Sequence, residues 1–202
     1  MSFISLVASA TDVILNLSEK KGNSMATVTG LNEKQTAALL AALAKRESNN
    51  NYKIENKFGY LGAYQFGAAA LVDVGLISHT KYSSAIKTKT GIANGANATN
   101  HKAFLADNSN WTLNGGKSTF LNSPLVQDEA IITLMNRNAK TMTAKGVYGG
   151  SAENKAGLLM AAHLKGAGNA IKFAQKGVAT KDGFGTSIRD YYNLGAKSVR
   201  GI

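Results

Sequence analysis

The sequence predicts a mainly α-helical fold, on three observations. Residues 32–48 join a capping asparagine to an Ala/Leu-rich body and a polar stop. Ser123-Pro124 opens a second apolar-periodic stretch that continues to about Ala144. Ser151 and Ser187 then introduce two further helical patterns toward the C-terminus.

In chain order, residues 3–17 carry Phe3, Leu6, Val7, Ala10, Val13, Ile14 and Leu17 at helical spacing, with Ser5, Ser9, Asp12 and Asn16 on the other face. Residues 1–24 therefore read as an amphipathic extension that packs on the main domain. A membrane-seeking or docking element is the alternative, disfavoured by a polar face without basic residues. The stretch does not fit a secretory signal, because no basic residue precedes it and Asp12 interrupts it. Lys21-Gly22 can be encoded by a purine-rich run close to Met25, so an internal start at Met25 is a second expectation.

The main domain, residues 25–202, shows no internal repeat and no linker. In 32–48, Asn32 is the N-cap, Gln35 takes the capping-box position, and Leu40, Leu43 and Ala44 define the buried stripe. Residues 49–66 read as a loop or short hairpin. Ala68–Ile77 reads as a helix with Leu71, Val74 and Ile77 inward. Residues 78–122 read as loops with short helices near Tyr82–Lys87 and Lys102–Ala106. The proline-started helix buries Ile131, Leu134, Met135 and Met142. The Ser151 helix buries Ala156, Leu159 and Ala162 and ends near Leu164. A short helix at Ala170–Lys176 is closed by Gly177. Ser187–Lys197 forms the last, with Ile188, Tyr191 and Tyr192.

Composition narrows the function. The formal net charge of +11 calls for an anionic partner such as nucleic acid, acidic lipid or the anionic bacterial envelope. The basic residues are dispersed, with no zinc, helix-turn-helix or basic–aromatic pattern, so nucleic acid is not the expected partner. His79, His101 and His163 lack metal-ligand spacing, and the chain has no cysteine; no metal or cofactor is expected. No phosphate-binding loop and no nucleophile elbow is present.

Glu47 is the most informative residue, because it falls on the apolar stripe of its own helix. Burial favours the neutral carboxyl and raises its pKa, which a general acid needs. The structural alternative is an ion pair with Lys45, Arg46 or Lys53 at a surface.

Glu47-Ser48 is followed by Gly59-Tyr60-Leu61-Gly62-Ala63-Tyr64-Gln65-Phe66. Here the chain resembles the lysozyme-like lytic transglycosylases, most closely their phage endolysin branch. In that family a catalytic Glu-Ser ends an Ala/Leu-rich helix, and a Gly-x-x-Gln turn, matched by Gly62–Gln65, lines the cleft. Gly157–Gly166 lies where the family has its Ala-Tyr-Asn-Ala-Gly helix end, with His163 at the tyrosine and Leu164 at the asparagine. Thr186 and Tyr191 loosely match the closing Thr…Tyr element, with Tyr192 as the rival. The resemblance covers about residues 31–77 and 124–195.

It implies a lysozyme-like helical domain, a loop region lining the cleft, and Glu47 as the catalytic acid. It further implies Gln65 on the muramic sugar, Ser48 orienting Glu47 or touching glycan, and His163 and Tyr191 at the acid. Tyr60 and Tyr64 are candidates to stack on sugar rings, or else half-buried loop anchors. Trp111 reads as core before it reads as a sugar platform. Glu55 and Asp73 are the nearest further acids but sit in no second catalytic motif. The implied reaction cleaves peptidoglycan at the muramic acid to give 1,6-anhydro ends. Alternatives are a hydrolytic muramidase and a catalytically inactive wall-binding or tail-associated protein. The expected partners are peptidoglycan and anionic envelope polymers, with a monomer acting on the wall after holin-type release or injection.

Overall fold

The computed structural model describes residues 26–87, 99–183 and 185–202. The amphipathic extension read at residues 1–24 lies outside the described residues. Nine α-helices and one 3-10 turn are present among them, and pairing between extended segments is limited to isolated bridges. The fold is mainly helical. Among the described residues no helix is long and apolar enough to cross a membrane.

Chain contacts group these residues into two compact units, 52–127 and 26–51 with 128–202. The sequence showed no such division. One boundary follows a helix C-cap and the other falls inside a helix, so neither is marked by a linker composition.

The discontinuous unit opens with α1, Glu33–Ser48. Asn32 Oδ1 accepts from the Gln35 backbone N–H at 2.8 Å, and Gln35 Oε1 accepts from the Asn32 N–H at 3.0 Å. This reciprocal capping satisfies two donors that the first turn would leave orphaned. Leu39, Leu40, Leu43 and Ala44 face inward, and each fully buried leucine contributes about 1.5–3 kcal/mol. Residues ahead of α1 are tied down as well. The Val28 N–H donates to Thr36 Oγ1, and the Thr29 N–H and hydroxyl both donate to Asn136 Oδ1. The Tyr148 hydroxyl donates to the Thr29 carbonyl at 2.7 Å.

The rest of this unit comprises most of α6 (Pro124–Thr143), α7 (Ala152–Lys165), α8 (Ala167–Lys176) and α9 (Ile188–Ser198). The closest packing is α7 against α9, with α1 also against α9. Small residues set the approach of α7 and α9. A Cβ at Gly195 would lie 2.4 Å from the Ala156 carbonyl oxygen, and one at Gly157 would meet the Tyr192 ring at 2.7 Å. Ser187 and Asp190 form a second capping box at α9, and Gly177 ends α8 in the left-handed conformation.

The 52–127 unit holds α2 (Ala68–Asp73), α3 (His79–Lys87), α4 (Thr99–Ala106), the 3-10 turn Asn108–Asn110 and α5 (Gly116–Asn122). Helix α2 is shorter than the sequence suggested. The chain turns at Gly75, φ 78°, and Leu76 and Ile77 are buried beyond the helix end. Segment 54–66 is a compact loop held by isolated Glu55–Leu61 and Leu61–Phe66 bridges, and no ladder of a full hairpin forms. Helix α5 escaped the sequence reading because its Gly115-Gly116 start masks it.

The core of this unit is an aromatic chain. Tyr52, Tyr64, Phe66 and Phe120 meet edge-to-face at centroid separations of 6.1, 6.3 and 5.6 Å, and Trp111 lies 5.7 Å from Phe120. Trp111 is core, as expected, with its indole N–H donating to the Leu105 carbonyl.

Candidate active site

The candidate acid is placed by the C-terminal turn of α1. Leu40, Leu43 and Ala44 are buried, and a residue three or four positions later returns to the same face. Glu47 therefore points toward the unit interior, with its side chain only 16% exposed. Asn49 ends the helix in the left-handed conformation, φ 56°. Its side chain is bonded by the Lys45 ammonium. Ser48 Oγ donates back to the Ala44 carbonyl at 3.2 Å and accepts from the Asn51 N–H at 3.0 Å. Its hydroxyl thus fastens the helix end on which Glu47 stands.

Two side chains distant in sequence reach the Glu47 carboxyl. The Tyr191 hydroxyl, from α9, donates to Oε1 at 2.6 Å. His163 Nε2, near the end of α7, lies 3.5 Å from the same oxygen. The Arg46 guanidinium stands 5.6 Å from the Tyr191 ring centroid. All four residues belong to the discontinuous unit. Among the described residues no hydrogen bond is made to Glu47 Oε2, so the carboxyl is pinned by one oxygen and presents the other.

The electrostatics correct one expectation. Burial does push the Glu47 carboxyl up, but the His163 hydrogen bond and charge, the Tyr191 hydrogen bond and the Arg46 charge together hold it below its ordinary value of 4.5. A partner's charge has outweighed desolvation. Tyr191 is pushed well above the ordinary phenol value, by burial, then by the Glu47 charge and their hydrogen bond. It remains a donor throughout the neutral range. His163 Nδ1 is buried and has no hydrogen-bond partner among the described residues.

Tyr192, the rival of Tyr191, faces elsewhere, and its hydroxyl donates to Asn154 Oδ1 at 2.8 Å.

The remaining candidates lie in the 52–127 unit. Gln65 has φ 49°, and its amide Nε2 donates to the Gly62 carbonyl at 3.0 Å, closing the Gly62–Gln65 turn on itself. Tyr60 is half-buried, its backbone N–H donates to Asn56 Oδ1, and burial raises its phenol pKa. Tyr64 is a correction. It is 1% exposed, with Tyr52 and Phe66 edge-to-face around its ring, so no face is open to a sugar. Its place on the loop is that of an anchor. Glu55 is paired with Lys117 at 2.9 Å, and Asp73 is exposed on α2.

Sequence reasoning missed Gln127, which builds the loop. It is fully buried; its Oε1 accepts from the Ala63 N–H at 2.9 Å, and its Nε2 donates to the Tyr52 and Phe120 carbonyls. A Cβ at Gly62, φ 71°, would sit 2.0 Å from Gln127 Oε1. Glycine at 62 is therefore required twice, by backbone conformation and by space. The available signal was Gln127 itself, a polar residue one turn before Ile131 on an apolar stripe. No cluster of potential metal ligands occurs among the described residues. Set against known proteins, the chain matches no protein-family model, no curated protein and no solved structure.

Proposed function

We propose that this chain cleaves the glycan strands of bacterial peptidoglycan as a lysozyme-like lytic transglycosylase, with Glu47 as the general acid. The observation that carries the reading is the half-pinned carboxyl. Glu47 is largely buried at a helix end, fixed through Oε1 by Tyr191 and His163, and unbonded at Oε2 among the described residues. A carboxyl held at one oxygen keeps the other available to a substrate within hydrogen-bond reach.

In the proposed reaction the protonated form of Glu47, a minority species in the free protein because the carboxyl is held below its ordinary value, delivers its proton from Oε2 to the glycosidic oxygen as the C1–O bond of the muramic residue breaks. The acetamido carbonyl of the same sugar stabilises the developing cation. The carboxylate then removes the C6 hydroxyl proton as that oxygen closes on C1. Glu47 recovers its proton and no water is consumed. Tyr191 stabilises the carboxylate formed in the first half by a short, charge-assisted hydrogen bond. An attached hydroxyl competes well with water because its effective concentration is high. One acid suffices, which agrees with Glu55 being engaged by Lys117.

The +11 charge supports a substrate embedded in anionic polymer. A phage endolysin acting on the wall after release from the cytoplasm is the biological setting this reading favours.

The test is mass analysis of glycan ends after digestion of purified wall. Ends of 1,6-anhydromuramic acid, one water lighter than the reducing sugar and inert to borohydride, are expected. Reducible muramic ends would make the protein a hydrolytic muramidase, and the absence of new ends would leave only wall binding.

A further inference from the structure

The discontinuous unit carries a pocket of about 410 Å³ whose lining includes none of Glu47, His163 and Tyr191. That volume falls within the ~300–1,000 Å³ range of small-ligand sites. Its walls come from the turn after α6 at Gly146, from Asn154 and Leu158 of α7, from Phe173 and Ala174 of α8, and from Tyr192 of α9. Consecutive residues of a helix diverge by about 100° around its axis, so Tyr191 and Tyr192 serve two different places.

The pocket is built, not merely left over. Tyr192 packs its ring against α7 where Gly157 leaves room, and its hydroxyl is fixed by Asn154 Oδ1 at 2.8 Å. Asn154 is held in turn, its Nδ2 donating to the Gly149 carbonyl at 2.8 Å. The Phe173 ring meets Tyr192 at a centroid distance of 5.3 Å and a tilt of 57°. The Arg189 guanidinium lies 5.4 Å from the Phe173 centroid. Two half-buried aromatic rings are thus held at an angle along an open hollow, with Arg189 over the Phe173 ring and the mutually bonded Tyr192 phenol and Asn154 amide at the rim. Aromatic faces carry negative charge density, and a pyranose offers a face of slightly positive axial C–H groups with hydroxyls around its edge. Flat apolar ligands lack a use for that rim; small polar ones lack a use for the rings.

We propose that this pocket is a second saccharide site, binding one N-acetylated pyranose of a glycan strand in the unit that holds Glu47. The proposal rests on the glycan-strand reading for the identity of the sugar, not for the existence of the site. Its value to the protein is retention, because a strand gripped at two places dissociates more slowly than one gripped at the acid alone.

The test uses the full chain carrying Glu47→Gln, titrated with the N-acetylglucosamine–N-acetylmuramic acid disaccharide and followed by backbone amide NMR. The amides of Gly146, Asn154 and Ala174 should move as a set. Ala174→Gln fills the pocket from an exposed helical position that tolerates glutamine. It should weaken that response by about tenfold or more while amides elsewhere keep their positions. Phe173→Leu, which removes one ring and keeps the volume apolar, should weaken it similarly. Cellobiose, with the same ring but no acetamido group, should move the set less. No movement of the set, or movement that survives Ala174→Gln, overturns the site; an equal response to cellobiose overturns its assignment to wall glycan. The two readings fail separately. New glycan ends from the unsubstituted protein without pocket shifts would sink only the pocket, and pocket shifts without new ends would sink only the catalytic reading.

Discussion

A single oxygen decides what Glu47 can do. Both partners, Tyr191 and His163, are on Oε1, so an amide of the same shape keeps that acceptor while removing the proton and the charge. Glu47→Gln should fold normally and lose about 10²–10⁴-fold in wall clearing, the usual contribution of general acid catalysis. Near-normal clearing by the folded variant would end the catalytic reading. The pH behaviour follows from the sign of the shift. Because Glu47 is held below its ordinary value, the stability it contributes is present above about pH 4.5 and is lost as pH falls through its folded value. His163→Phe deletes the two largest lowering influences and leaves burial in place. The Glu47 carboxyl should then titrate at higher pH, and the gain in stability across the carboxyl range should shrink. Carbon-13 NMR of the labelled carboxyl measures the first directly, and an unchanged midpoint would refute the role given to His163. The position of Glu47 was legible in sequence, since helical spacing alone puts it on the stripe of Leu40, Leu43 and Ala44. The direction of its pKa was not. That depends on a histidine and a tyrosine more than 100 residues away, and spacing says nothing about which charges meet.

Elements show the same split between what is local and what is not. The capping boxes at Asn32 and Ser187 were readable because every partner lies within one turn. The early stop of α2 at Asp73 and the burial of Tyr64 were not, because both are settled by what packs against them. The 54–66 loop makes the case most sharply. Its shape depends on Gln127, whose three hydrogen bonds go to residues 63, 52 and 120. Gln127→Leu keeps the volume and removes all three. At about 1 kcal/mol net for each buried hydrogen bond, it should destabilise the protein by roughly 2–4 kcal/mol. Urea unfolding should show a lower midpoint at unchanged slope. A loss below about 0.5 kcal/mol, the size of an ordinary surface substitution, would mean the loop is held by its aromatic packing alone. A Gly62→Ala change tests the same joint from the other side, since its methyl group would collide with the Gln127 amide. It should cost at least as much, and combining the two changes should give less than the sum, because they disturb one contact.

At the scale of the whole molecule, charge is the property that sequence gives without any structure, and it carries the last prediction. Of the +11, none comes from residues 1–24, where Asp12 and Glu19 cancel Lys20 and Lys21. A chain beginning at Met25 therefore keeps the full charge. It also keeps the segment that Thr36, Asn136 and Tyr148 tie to the fold from Val28 and Thr29. It should digest purified wall at a rate close to that of the full chain. Attraction between a surface this basic and anionic polymer is screened by salt, with a Debye length of about 10 Å at 0.1 M and about 3 Å at 1 M. Retention of the Glu47→Gln protein on teichoic-acid-bearing wall should fall steeply over that range. Retention on wall stripped of its anionic polymers should begin lower and change little. The comparison separates the two forces, because contacts to the sugar itself are short and mostly uncharged. If stripping the polymers leaves binding and its salt dependence unaltered, the charge serves some partner other than the envelope. A loss of digestion on removing residues 1–24, with charge unchanged, could only mean that the extension completes the fold or the site.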